Sequence, residues 1–301
     1  MALTAIVLGS AAGGGFPQWN CRCPVCRLAW AGDARVKPRT QASVAVSTEG
    51  ASWILLNTAP DLRSQIAATP ELQPQANTRG SPIAAVILTG AEVDQVAGLL
   101  TLRERQSFDL IATEETLACL AENPIFDVLA PYLVRRCSVP LDSALALPGG
   151  IEAELFAAPG KPPLYREGVA PVTDAETPAN VGVELRHAGA CLVYLPGCAA
   201  VTPALTERLT RADTLLFDGT LFVDDEMIRT GTGEKTGRRM GHMPIDGPDG
   251  SLAALADLAA RRFYIHVNNT NPVLVDGSPE RRRVEEAGWI VAEDGMKIVV
   301  G

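Results

Sequence analysis

Ile83 to Glu104 reads IAAVILTGAEVDQVAGLLTLRE, and the fold turns on how that stretch is divided. Ile83 to Leu88 is a short run of branched apolar residues and predicts a buried strand. Thr89 to Gln95 is a loop of small and acidic residues. Val96 to Arg103 then places apolar residues at helical spacing. A strand that hands Glu92, Asp94 and Gln95 to the start of a helix sets them beside free backbone N–H groups, which orient carboxylates without help from other charges. Asp94 is the best ligand candidate of the three, although an aspartate here also serves as an ordinary helix cap.

The same alternation extends outward in both directions. Leu3 to Leu8 predicts a strand, followed by the glycine-rich loop Ala11 to Gly15. Ala42 to Ser47 and Ser52 to Asn57 predict paired strands. Glu114 to Glu122 predicts a helix stopped by Asn123-Pro124, and Thr202-Pro203 opens another that runs to about Arg211. Val181 to Arg186, Cys191 to Leu195, Thr214 to Phe217 and Phe263 to Ile265 predict strands, with a helix from about Ser251 to Arg261 and a last strand at Lys297 to Val300. Short strands interleaved with helices, with polar residues gathered past strand ends, describe a layered α/β fold whose ligands sit beyond the strand termini. No internal repeat or linker breaks the chain, so residues 1–301 are expected to form one domain.

The bulk properties narrow the function classes. Hydrophobic residues make up 47%, charged residues 20% and aromatics 5%, with mean hydropathy +0.12, as in a packed globular chain. A net charge of −9 argues against nucleic acid or anionic membranes as partners. No apolar run reaches the ~20 residues of a membrane span, and the N-terminus lacks a secretory leader, so the cytoplasm is the expected compartment. The glycine-rich loop contains no G-x-G-x-x-G opening a helix, and no P-loop or nucleophile elbow is present.

Two residue groups carry chemistry. Cys21, Cys23 and Cys26 form C-x-C-x-x-C, which gathers three soft ligands around one point and predicts structural zinc, with a fourth ligand from elsewhere. Three ordinary buried cysteines, or a redox pair, are the alternatives. Of three histidines, His187 lies in a predicted turn and reads as a surface residue. His242 and His266 lie among small and amide residues, His266 directly past a strand end. With Asp94 and Asp218 they make a two-histidine, carboxylate set suited to non-haem iron, though Zn²⁺ or Mn²⁺ would fit as well.

The segments LGSAAGGGFPQWNCRCPVC, LTGAEVDQVAGLLTLRE, APGKPPLY, YLPGCA, LFDGTLF, GRRMGHMP and IHVNNTNPVL together resemble the B-protein family of pyrroloquinoline quinone (PQQ) biosynthesis. That likeness spans nearly the whole chain. It implies a metallo-β-lactamase-like four-layer αββα sandwich. The activity it implies is an iron-dependent hydroxylation, with O₂, of the tyrosine ring in a Glu–Tyr dipeptide, in concert with other PQQ-biosynthesis proteins. An older reading of the family implies a carrier that moves PQQ or a precursor towards the periplasm. Metallo-β-lactamase-fold hydrolases carry H-x-H-x-D-H where this chain has Gly90 to Gln95. Beside them Lys161 stands for a metal histidine and Gly197 for a bridging aspartate, so a two-metal hydrolase is not expected. The resemblance places Asp94, Asp218, His242 and His266 at the iron, and Glu92 and Lys161 towards substrate. It makes Asn269 the fourth zinc ligand or its neighbour, with Asn268 and Asn271 as alternates. Family members show histidine where Gln95 stands, and a glutamine there implies weaker metal binding and a weakened active site.

Overall fold

The strand and helix alternation produces two mixed sheets of seven strands each. The structure, a computed structural model, describes residues 2–75, 78–168 and 171–301. The strands in chain order are β1 (Thr4–Gly9), β2 (Ser43–Ser47), β3 (Trp53–Leu56), β4 (Ile83–Ile87), β5 (Phe108–Ala112), β6 (Val134–Ser138) and β7 (Leu145–Leu147). They continue as β8 (Ile151–Gly160), β9 (Ala175–His187), β10 (Ala190–Leu195), β11 (Thr214–Asp218), β12 (Arg261–Ile265), β13 (Trp289–Val291) and β14 (Lys297–Val299). One sheet runs β14-β1-β2-β3-β4-β5-β6 and the other β13-β12-β11-β10-β9-β8-β7. In each, one half is antiparallel and the other, β3 to β6 or β10 to β13, is parallel.

The period of two along each strand builds the layers. Val7, Val44, Ile54 and Ile87 face Val183, Leu185, Tyr194 and Phe263 between the sheets. Their neighbours Ile6, Ala45, Leu55 and Val86 point outward and pack on Leu62, Leu99 and Leu120 of the covering helices. On the far side Val193, Phe217 and Trp289 pack on Leu205, Leu209 and Val284. The result is the expected αββα order, with the parallel strands of both sheets ending on one rim. Among the described residues no helix is long and apolar enough to cross a membrane.

Two helices differ from expectation. Ala97–Arg103 is a 3-10 helix rather than α-helix. The Gln95 carbonyl accepts from the Thr58 N–H, and Gly98 donates to Thr58, so the strand β3 exit pulls the backbone out of α-helical bonding. The helix expected from Ser251 to Arg261 ends at Ala254. Beyond it the Arg262 guanidinium takes the carbonyls of Leu255 and Ala256, which stops propagation.

Candidate metal centre

A cavity of about 590 Å³ opens on the rim where the parallel strands end, lined among others by Gly13, Asp94, Thr220, His242 and His266. Each element delivers one group. The short helix Val93–Val96 that follows β4 carries Asp94 in its first turn, β11 ends in Asp218, and β12 delivers His266. The glycine-rich loop forms a wall rather than a nucleotide site: Ala12 donates to the Val267 carbonyl and Val267 to that of Ser10, which seats the loop against the His266 segment. Gly13 lies so close to Asp94 that an added Cβ would stand 3.5 Å from its Oδ2. His266 takes a left-handed φ of 59°, a strained conformation for a non-glycine residue, with its own carbonyl 3.0 Å from Thr220 Oγ1.

Asp218, at the end of β11, is fully engaged by hydrogen bonds. Its Oδ1 accepts from the Thr220 N–H at 3.0 Å and from Thr220 Oγ1 at 2.6 Å. Its Oδ2 accepts from the Cys198 N–H at 2.8 Å and contacts His242 Nδ1 at 2.7 Å. A carboxylate has about four acceptor positions, and here all are taken in a fully buried setting. Asp218, His242 and His266 do offer ligand atoms within 4.8 Å of one another. Its Oδ2 also makes Asp218 an orienting partner of His242. Burial pushes its carboxyl up, and the charge and hydrogen bond of His242 more than offset this, holding it below the usual range. A proton on His242 Nδ1 leaves Nε2 as the nitrogen with a free lone pair.

Thr220 is the residue that sequence reasoning missed. Its hydroxyl lies 2.8 Å from His266 Nδ1 and 3.1 Å from His242 Nδ1, between rings stacked at 5.2 Å. The tight Asp-Gly-Thr turn was visible in sequence, but nothing there shows that one hydroxyl meets both imidazoles. On the other side, His266 Nε2 sits 2.9 Å from Asp94 Oδ2. Burial opposes ionisation of both groups, yet their mutual hydrogen bond and charge lower the Asp94 carboxyl and raise the His266 imidazole. The residues fit a metal. Two donors each ~2.0–2.1 Å from an ion and at right angles stand ~2.9 Å apart. Asp94 and His266 are at that separation, with the His242 ring stacked beside them.

The other expected site residues are committed elsewhere. Gln95 Oε1 accepts from the Glu92 N–H at 3.1 Å, and none of its hydrogen bonds reaches Asp94, His242 or His266. Gln95→Ala is therefore expected to cost about 1 kcal/mol through the lost cap. Urea denaturation should report that loss with the metal content of the protein unchanged; metal lost at unaltered stability would put the amide at the metal. Lys161 Nζ pairs with Glu92 at 2.5 Å and Glu167 at 2.9 Å, while Glu92 also accepts from the Leu164 N–H. Burial works to lower the Lys161 ammonium, and Glu92 and Glu167 together raise it. Both expected substrate residues thus satisfy each other at the cavity wall.

Cys21, Cys23 and Cys26 converge with sulfur atoms within 4.8 Å of one another. Asn269 meets all three: its Nδ2 lies 3.1 Å from Cys21 Sγ, 3.8 Å from Cys23 Sγ and 3.3 Å from Cys26 Sγ. The alternates do not come near. Asn268 bonds Thr270, and Asn271 bonds the Gly219 carbonyl. Buried Glu226 anchors this segment by accepting from Thr270 Oγ1 at 2.5 Å and the Phe222 N–H at 2.7 Å, and burial pushes its carboxyl up to about 7. The donor set of three thiols and an amide suits a tetrahedral soft-ligand ion, with the amide turned to present oxygen.

A Beta-lactamase superfamily domain model matches residues 52–266. Coenzyme PQQ synthesis protein B of Methylobacterium sp. (strain 4-46) is 55% identical over 299 residues, covering 99% of this chain and 100% of that protein. Its namesake in Gluconacetobacter diazotrophicus is 52% identical, covering 97% of this chain and 98% of that one. The crystal structure of Zn²⁺-bound PqqB from Methylobacterium extorquens superposes with a TM-score of 0.96 at 52% identity, covering 98% of this chain and 99% of that one.

Proposed function

The chain belongs to the coenzyme PQQ synthesis protein B family of the β-lactamase superfamily, and on that premise we propose that it hydroxylates the tyrosine ring of a Glu–Tyr dipeptide precursor with iron and O₂. The observation that carries this reading is one small cluster at one large cavity: Asp218, His242 and His266 offer ligand atoms within 4.8 Å of one another, and Asp94 Oδ2 stands 2.9 Å from His266 Nε2. Two-metal hydrolysis needs a second set. Here Lys161 is paired with carboxylates, and a Cβ at Gly197 would stand 3.7 Å from the His242 ring, so neither position offers a ligand.

Iron, when bound, supplies the one-electron chemistry towards O₂ that no side chain in the cavity provides. Asp94, His266 and His242 would hold it, with Thr220 and Asp218 fixing the two rings. Val93, Leu164, Tyr165 and Met240 give an aromatic substrate ring an apolar wall, and the amides of Gln18, Gln41 and Asn180 face the peptide. A structural Zn²⁺ on Cys21, Cys23, Cys26 and Asn269 agrees with the Zn²⁺-bound relative.

The test is anaerobic loading with Fe²⁺, then Glu–Tyr and O₂, with mass spectrometry of the product. A dipeptide heavier by one oxygen atom is expected. No such product, while the Methylobacterium relative treated alike makes it, would overturn the enzymatic reading. Zinc without iron, together with tight dipeptide binding, would then favour the carrier.

A further inference from the structure

The three-cysteine cluster faces a second cavity, of about 540 Å³, that the proposed chemistry leaves unused. Its walls are polar and include Arg22, Arg27, Thr230 and Thr232. The chain is acidic, with 35 aspartates and glutamates against 26 lysines and arginines, and arginines elsewhere, such as Arg135, Arg208 and Arg281, meet carboxylates. Arg22 and Arg27 do not. Among the described residues neither guanidinium makes a hydrogen bond or an ion pair. Both arginines are exposed at the edge of this polar concavity, and an uncommitted guanidinium is a planar fork that can take a carboxylate.

The position matters as much as the charge. The two cavities share Gln18 and Met227 as walls. Asn268 lines the first and Asn269 the second, so both run along one segment. His266 and Asn269 are three residues apart, which limits their backbone separation to about 11 Å. Two residues with long side chains cover such a span.

We propose that Arg22 and Arg27 form an anion subsite for the carboxylates of the acidic half of the substrate, whose phenol ring lies over Asp94 and His266. The substrate identity in this assignment rests on the function proposed above; the anion site itself does not. The competing explanation is that the two arginines only balance the charge of zinc-bound thiolates.

Calorimetric titration of zinc-loaded, iron-free protein with Glu–Tyr, Gln–Tyr and glutarate separates these possibilities, using wild type and the double variant Arg22→Gln/Arg27→Gln. Zinc content and melting temperature are measured alongside. Wild type should prefer Glu–Tyr over Gln–Tyr by roughly tenfold, and the variant should lose that preference with zinc and fold intact. A preference unchanged in the variant overturns the subsite, as does a binding loss that merely follows zinc loss. Glutarate bound in an arginine-dependent way, with no binding of Glu–Tyr, would keep the anion site and sink the dipeptide reading. No binding of any of the three would sink the subsite.

Discussion

On the function proposed above, Asp94→Asn should leave a folded protein that no longer retains iron and no longer hydroxylates the dipeptide. Asp94 is the carboxylate closest to His266, at 2.9 Å from Nε2, and its side chain is 14% exposed towards the cavity. The substitution keeps size and shape and removes the charge. A neutral amide oxygen is a much weaker ligand for a hard divalent ion, so affinity should fall by at least ~100-fold. Stability should change little, because in the metal-free protein Asp94 has one imidazole partner at the edge of a cavity. Asp218→Asn is the informative contrast. Its new NH₂ would face the N–H of Cys198 or Thr220, both of which already donate to that carboxylate, and melting should drop sharply. Elemental analysis and thermal denaturation of the two variants therefore give opposite patterns. Iron kept at the wild-type level in Asp94→Asn would remove Asp94 from the ligand set. The Asp94–His266 pair also sets a pH dependence. Asp94 raises the His266 imidazole above its ordinary range, so below that raised value protons compete with metal for Nε2. Iron affinity should climb about tenfold per pH unit there and level off above it.

The layered fold was legible because its strands carry clean apolar runs. Leu3 to Leu8 and Thr214 to Phe217 match β1 and β11 to within a residue. Element ends set by long-range contacts were not legible. The helix after Ser251 looks continuous in sequence, and only the Arg262 guanidinium on its carbonyls shortens it. The site divides in the same way. His266 and Asp94 stand out as polar residues past apolar strands, which is a local signal. The saturation of Asp218 involves the Cys198 backbone, 20 residues away, and the pairing of Lys161 with Glu92 spans 69 residues. Residue type suggested a ligand and a substrate anchor at these positions, and the partners that hold them there are ones that sequence does not display. Arg22 and Arg27 drew no reading from the sequence, and only the fold shows that no carboxylate among the described residues pairs with them.

Cys23→Ser should cost about 3–5 kcal/mol and lower the melting temperature by on the order of 10 °C, with loss of one zinc per chain. The reason lies in what the cluster joins. Cys23 caps the Pro24–Trp30 helix and contacts the Asn269 carbonyl, 246 residues away, while Asn269 reaches Cys21 and Cys26 as well. Without metal the Cys23 and Cys26 thiols are poor anions. Burial, with the neighbouring Cys26 thiol adding to it, pushes Cys23 up to about 12, so the metal-free cluster is held by weak thiol contacts alone. Zinc held by Cys21, Cys23 and Cys26 would take the place of those protons and of the weak contacts, and so would tie the chain after the glycine-rich loop to the segment that carries His266. Chelation should therefore destabilise wild type about as much as Cys23→Ser does and should add nothing to the variant. Cys198 is a suitable control: it is fully buried, and its thiol bonds the Ala200 carbonyl rather than the cluster, so Cys198→Ser should keep its zinc. Asn269 decides the fourth position. Asn269→Asp puts a charged oxygen where the amide stands, and zinc affinity should rise if that side chain is a ligand. An unchanged affinity would make Asn269 a hydrogen-bond donor to the sulfurs and leave the fourth position facing the second cavity.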